Sequence, residues 1–223
     1  MRIKVCGMRE PDNITALASL PVDMVGFIFY RKSARYIGDK LLRWLEKQGK
    51  LLEGKKRVGV FVNAEVEEVL NAVHDYELDF VQLHGDESPE YCMLLRSISE
   101  ATSMRKFSII KAFQVVDGFD FSHLNAYSPH CAYFLFDTKG EGYGGTGKQF
   151  DWGMLQMYHG LTPFLLSGGI GPDSAAALRD FQHPQFYGVD INSRFETKPG
   201  QKDIGQIAAF IQELNKERDY GSY

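Results

Sequence analysis

Met24-Val25-Gly26-Phe27-Ile28-Phe29 runs through six positions without a polar side chain. Tyr133-Phe134-Leu135-Phe136 has the same character. Runs that are apolar at consecutive positions are how strands look when both faces are buried, as in a parallel sheet covered by helices. Eight such segments follow one another: Arg2–Cys6, Asp23–Phe29, Arg57–Val62, Asp79–Leu83, Phe107–Phe113, Ala132–Asp137, Pro163–Ser167 and Phe186–Ile191. Helical patterns alternate with them. Val66, Val69, Leu70 and Val73 make one stripe over Ala64–His74, and Ile204, Ile207, Ala208 and Ile211 another over Asp203–Lys216. Pro172 opens a helix at Ala175–Phe181, and Leu41–Lys50 and Pro89–Ile98 fit the same scheme. Val115–Tyr127 is the weakest helix of the series, and the polar stretch Ser97–Lys106 reads as a loop. Eight strand–helix pairs in 223 residues without a linker point to an α/β fold, a single-domain (β/α)8 TIM barrel over 1–223 with a frayed tail at 216–223. A doubly wound open sheet is the runner-up.

Composition narrows the partners. The chain carries 25 basic and 29 acidic residues, a net charge of −4, and no long basic run, so it has no electrostatic claim on nucleic acid or an anionic membrane. No apolar run approaches the length of a membrane span and the N-terminus lacks the apolar core of a signal peptide, which favours a cytoplasmic protein. Cys6, Cys92 and Cys131 are odd in number with no paired spacing, which fits reduced thiols rather than a disulfide framework or a zinc site.

Chemistry gathers where the strands end, the face on which barrels of this type carry their working residues. Those positions hold Cys6, Arg35 after strand two, His84, Asp137, Ser167-Gly168-Gly169 and Asp190-Ile191-Asn192-Ser193-Arg194. Ser167, Gly168 and Gly169 lead into the Pro172 helix, so bare backbone N–H groups can face an anion, and Asn192, Ser193 and Arg194 can close on it from the other side. The bland reading is two tight turns. Taken singly, Cys6 is equally a small buried hydrophobe, and Arg35 and His84 are equally satisfied structural residues. Asp137 is harder to explain by packing, because an unpaired buried carboxylate is costly. Gly140, Gly142 and Gly145 imitate a dinucleotide fingerprint, and Gly142, Gly147 and Lys148 a P-loop. The first lacks a helix opened by its glycines and the second has Gln149 where Ser or Thr should hold magnesium, so the segment reads as a loop before a helix capped by Asp151.

At these positions the chain resembles the phosphoribosylanthranilate isomerase family. The resemblance rests on Lys4-Val5-Cys6-Gly7-Met8, Lys32-Ser33-Ala34-Arg35-Tyr36-Ile37, Gly59-Val60-Phe61-Val62-Asn63, Gln82-Leu83-His84-Gly85-Asp86-Glu87, Asp137 with Gly144-Gly145-Thr146-Gly147, Phe150-Asp151-Trp152, Ser167-Gly168-Gly169, Val189-Asp190 and Pro199-Gly200 with Lys202-Asp203. It departs at Ala34, where the family often has Pro, and at Asn192-Ser193-Arg194, where Ser-Ser-Gly is common. The resemblance implies an Amadori rearrangement of N-(5-phosphoribosyl)anthranilate to 1-(2-carboxyphenylamino)-1-deoxyribulose 5-phosphate, a step of L-tryptophan biosynthesis. It implies Asp137 as general acid, Cys6 as general base, Arg35 on the anthranilate carboxylate, and His84 and Asp190 beside the sugar and amine. It implies no metal or organic cofactor, a small-molecule phosphosugar substrate, and a monomer or homodimer. Alternatives are another phosphosugar isomerase, whose acid–base pair would be two aspartates, one of them at the end of strand one where this chain has Cys6, and a phosphosugar-binding barrel without catalysis.

Overall fold

The computed structural model describes residues 1–38, 41–101, 105–137 and 152–216. Eight parallel strands close into a barrel in sequence order: β1 Arg2–Val5, β2 Met24–Ile28, β3 Lys56–Phe61, β4 Phe80–Leu83, β5 Ser108–Gln114, β6 Tyr133–Asp137, β7 Phe164–Ser167 and β8 Phe186–Ile191. Closure is made by β1 against β8, in a register that sets Lys4 opposite Asp190. Helices α1 Pro11–Ala18, α2 Leu41–Gln48, α3 Val66–Asp75, α4 Pro89–Ala101, α5 Ala175–Asp180 and α6 Ile204–Leu214 lie in the connections, and a short hairpin, β9 Glu196–Lys198 with β10 Gln201–Lys202, follows β8.

Two apolar layers result from strand alternation. Met24, Val58, Ile110, Ala112, Leu135 and Leu165 form one buried cluster. The alternate residues, such as Val25, Val81, Phe134, Phe136 and Leu166, join the larger cluster with the helices. Among the described residues no helix is long and apolar enough to cross a membrane.

The eight strands fall where the apolar runs place them, within one or two residues at each end. Two connections differ. The stretch read as a loop from Ser97 begins as helix, because α4 continues to Ala101. Ser99 faces inward there, its hydroxyl donating to Phe107 O at 3.0 Å and accepting from Phe107 N at 3.1 Å, so a polar residue is what docks the helix on β5. Val115–Tyr127 is not an α-helix but a 3-10 turn over Phe121–Ala126, started by Asp120, whose carboxylate accepts from Ser122 N at 2.8 Å. Gly118, three residues before the turn begins, takes φ +78°, which interrupts any longer helix. The glycine-rich segment from Gly140 to Gly147, the Asp151 cap and the tail from 217 lie outside the described residues. Trp152–Met157 is a 3-10 helix.

Candidate active site

All eleven residues singled out at the strand ends line one cavity of about 310 Å³: Cys6, Arg35, His84, Asp137, Ser167, Gly168, Gly169, Asp190, Asn192, Ser193 and Arg194. Parity explains much of this convergence. The residues two before Cys6, Ile28, Val60, His84, Asp137 and Ser167 on their strands are Lys4, Gly26, Val58, Gln82, Leu135 and Leu165, and both sets share the interior-facing parity.

Cys6 follows the last residue of β1 and is buried, with its backbone N donating to Ile191 O at 2.9 Å. Gly26 on β2 makes room for it, since a Cβ there would lie 3.0 Å from Cys6 Sγ. Two residues earlier, Lys4 is fully buried and donates from Nζ to Asp190 Oδ1 at 2.9 Å. A buried charge is tolerable only when paired and hydrogen-bonded. Burial pulls the Lys4 ammonium down, but Asp190 and Cys6 outweigh it and hold the ammonium above its ordinary value. The Cys6 thiol lies above its ordinary value through burial, with Lys4 and Lys202 drawing it down and Asp190 pushing it up.

Asp137 ends β6, with its Oδ2 3.8 Å from His84 Nε2. His84 stands on the β4 side, where its Nδ1 lies 2.9 Å from the amide nitrogen of buried Gln82. The surrounding protein pushes the His84 pKa down, and the Asp137 charge only partly opposes this, so the imidazole is neutral at pH 7. The second amide atom of Gln82, Oε1, is buried without a hydrogen-bond partner among the described residues, leaving an acceptor in the cavity wall. Beneath this side sits a buried clamp. Lys111 Nζ lies 3.3 Å from Glu87 Oε2 and donates to Gly85 O at 2.7 Å, while Glu87 accepts from Asn63 N at 2.8 Å and Gly85 N at 2.9 Å. The loop that begins at His84 is thereby tied to β3 and β5.

Arg35 reaches the cavity from the loop after β2, but its two-pronged edge is already engaged. Nε donates to Glu196 Oε1 at 2.9 Å and Nη2 to Oε2 at 2.6 Å. The Glu196 side chain, 4% exposed, also accepts from Lys202 Nζ at 2.5 Å and Gly200 N at 3.1 Å. Burial pushes its carboxyl up, and Arg35 and Lys202 more than reverse this, so it stays ionised. Nη1 of Arg35 has no protein partner among the described residues. Ile28, Val60 and Val62 give the same cavity an apolar wall.

On the opposite side, Gly168 and Gly169 follow β7 at φ +89° and +67°, conformations that a side chain would strain. Asn192 precedes the short 3-10 turn Ser193–Phe195. Its Oδ1 accepts from Lys202 Nζ at 2.7 Å, which ties the loop after β8 to the Glu196 cluster. Arg194 does not pair with Glu196. It reaches Asp173 through Nη2 at 3.1 Å, with both side chains at least half exposed, and its guanidinium lies across Gly171, where a Cβ would come 2.7 Å from Nε.

Lys4, Gln82, Glu196 and Lys202 are the site residues that spacing alone does not reveal. Lys4 had a signal: it shares the strand parity of Cys6, so a cation in an otherwise apolar β1 is carried inward with the thiol. Glu196 had none and Lys202 entered only through the family resemblance, because their relation to Arg35 exists only once the hairpin folds back across the barrel mouth.

A closed barrel that gathers its ionisable side chains and a glycine cradle in one cavity at the C-terminal ends of the strands has the build of a (β/α)8-barrel enzyme. The chain belongs to the N-(5'-phosphoribosyl)anthranilate isomerase family, whose model matches residues 3–213. It is 49% identical over 214 residues to the N-(5'-phosphoribosyl)anthranilate isomerase of Parabacteroides distasonis, covering 96% of this chain and 93% of that one. Its structure is similar to the crystal structure of phosphoribosyl anthranilate isomerase from Thermotoga maritima, with a TM-score of 0.79 and 34% identity over 96% of this chain and 98% of the other. A further structure of phosphoribosyl anthranilate isomerase, in complex with reduced 1-(o-carboxyphenylamino)-1-deoxyribulose 5-phosphate, matches with a TM-score of 0.75 and 30% identity, covering 96% of this chain and 98% of that chain.

Proposed function

We infer that this chain isomerises N-(5-phosphoribosyl)anthranilate to 1-(2-carboxyphenylamino)-1-deoxyribulose 5-phosphate, the step its family performs in tryptophan biosynthesis. The observation that carries the reading is the convergence, in one cavity, of a thiol on β1, a carboxyl on β6, a glycine cradle after β7 and an apolar wall beside Arg35. The cradle accepts the phosphate, with Ser167, Gly168, Gly169, Asn192 and Ser193 around it and Arg194 at its rim. The anthranilate ring lies against Ile28, Val60 and Val62, and its carboxylate meets Arg35 through Nη1. The ribose then spans the mouth between Cys6 and Asp137.

The reaction asks for one proton donor and one acceptor and involves no redox change. Asp137 protonates the ribose ring oxygen as the ring opens to an iminium. Cys6, as thiolate, removes the proton from C2′, and the electron pair passes into the iminium to give an enolamine that tautomerises to the ketone. Neutral His84 stands beside Asp137, its Nε2 3.8 Å from Oδ2, with its other ring nitrogen accepting from Gln82. Asp190, held by Lys4, faces the sugar hydroxyls and the amine. The unit is one barrel domain acting in the cytoplasm, as a monomer or a homodimer. The direct test is the loss of substrate fluorescence with purified chain, dialysed against a chelator and given no nucleotide. Turnover supports the reading, and absence of turnover by folded protein contradicts it.

A further inference from the structure

Among the described residues, Lys4 is the one fully buried cation in the barrel interior that the acid–base chemistry above leaves without a task beyond pairing Asp190. Its position is not that of a filler. It occupies the interior parity of β1 two residues before Cys6, and the β1–β8 register sets it opposite Asp190. A lysine buried only for packing would have to compensate the loss of hydration of its ammonium, which a Met of similar length does not incur. In this place the ammonium hydrogen-bonds the Asp190 carboxylate at 2.9 Å, on the interior-facing parity that it shares with Cys6 two residues further on, and Cys6 and Asp190 line the same cavity.

The groups that bear on the thiol are few. Lys4 comes from its own strand, Asp190 from β8 and Lys202 from β10, while β2 presents only the backbone of Gly26. Burial and Asp190 both oppose a thiolate here. A sulfur that is to take a proton from carbon therefore needs a cation held against it, because the thiolate and not the thiol is the reactive form. Lys202 already serves Glu196 and Asn192.

We propose that Lys4 is a positioning residue for the reaction: its buried ammonium is the counter-ion that stabilises the Cys6 thiolate, and Asp190 fixes that ammonium in place. This deepens the assignment of Cys6 as base and rests on it, but its test does not use turnover. Alkylation of the Cys6 peptide by iodoacetamide, followed by mass spectrometry across pH 6 to 10, reads thiolate formation directly. In Lys4→Met the alkylation rate at pH 7 should fall about tenfold or more and its pH profile should move to higher pH, while Lys4→Arg keeps most of the wild-type rate. Because Lys4→Met leaves Asp190 buried and unpaired, Lys4→Met/Asp190→Asn is measured beside it. With both charges gone, its Cys6 should react more slowly than wild type but faster than in the single variant. Folded variants whose Cys6 alkylates at the wild-type rate and pH would overturn the proposal. Full turnover by Cys6→Ala, with the alkylation result intact, would remove only the base assignment.

Discussion

The Arg35 guanidinium meets the Glu196 carboxylate edge to edge, Nη2 to Oε2 at 2.6 Å and Nε to Oε1 at 2.9 Å, across 161 residues of sequence. The arginine is thus oriented before any ligand arrives, and among the described residues the Nη1 N–H groups and the second Nη2 N–H remain for a substrate carboxylate. Arg35→Ala should weaken a product analogue bearing the anthranilate carboxylate by roughly 10–100-fold, the scale of one charge-assisted contact. Arg35→Lys should recover only part, since an ammonium cannot satisfy Glu196 and the ligand in the same planar geometry. Calorimetry with the analogue and its decarboxylated counterpart checks this. Equal losses for both ligands would place Arg35 outside carboxylate recognition.

The neutral state of His84 has a sign that can be measured. Its folded pKa lies below the ordinary value of about 6.5. The native state therefore prefers the uncharged ring, and the associated stability is complete above the ordinary value and lost as pH falls through the folded one. An NMR titration should find the His84 ring titrating below the ordinary value, and Asp137→Asn should lower it further by removing the charge that raises it. A His84 pKa that rises in Asp137→Asn would contradict the pairing.

The Lys111–Glu87 pair, 3.3 Å apart and at most 3% exposed, is a stability element. Removing one member of a buried pair typically costs about 3–5 kcal/mol. Glu87→Ala should approach that loss in urea unfolding, since it also orphans the N–H groups of Asn63 and Gly85. A loss under about 1 kcal/mol would show that water reaches Lys111 readily.

Arg194 and the glycine cradle separate by the same logic. The exposed Arg194–Asp173 pair is worth at most about 1 kcal/mol, so Arg194→Ala should leave the Tm nearly unchanged. Its contribution to phosphate should be electrostatic, showing as weaker inhibition by inorganic phosphate at low salt that fades as ionic strength rises. Gly168→Ala, at φ +89°, should raise both KM and the phosphate inhibition constant at any salt. Salt-independent effects of Arg194→Ala would reverse the two assignments.

Strand order and site location were legible because two simple signals coincide in this chain: apolar runs buried on both faces, and reactive residues at or next to the C-terminal end of the runs. Cys6, His84, Asp137, Ser167 and Asp190 stood out as a group from that pattern, and the family resemblance supplied their roles. Their partners could not. Lys4 meets Asp190 only when β1 closes on β8, and Glu196 meets Arg35 only through the hairpin, so neither contact has a local pattern. Ser97–Ala101 was misread for the opposite reason. Its polarity argued for a loop, while Ser99 uses that polarity to bond the backbone at the start of β5.

The central claim is that Cys6 is the base that takes the C2′ proton. The kcat of Cys6→Ala, measured by loss of phosphoribosylanthranilate fluorescence at saturating substrate, tests it most directly. The account predicts a fall of at least about 10²-fold, the usual scale for losing a general base, with KM little changed because the thiol offers small contact area. A Cys6→Ala variant that turns over within a few-fold of the wild-type rate would contradict it.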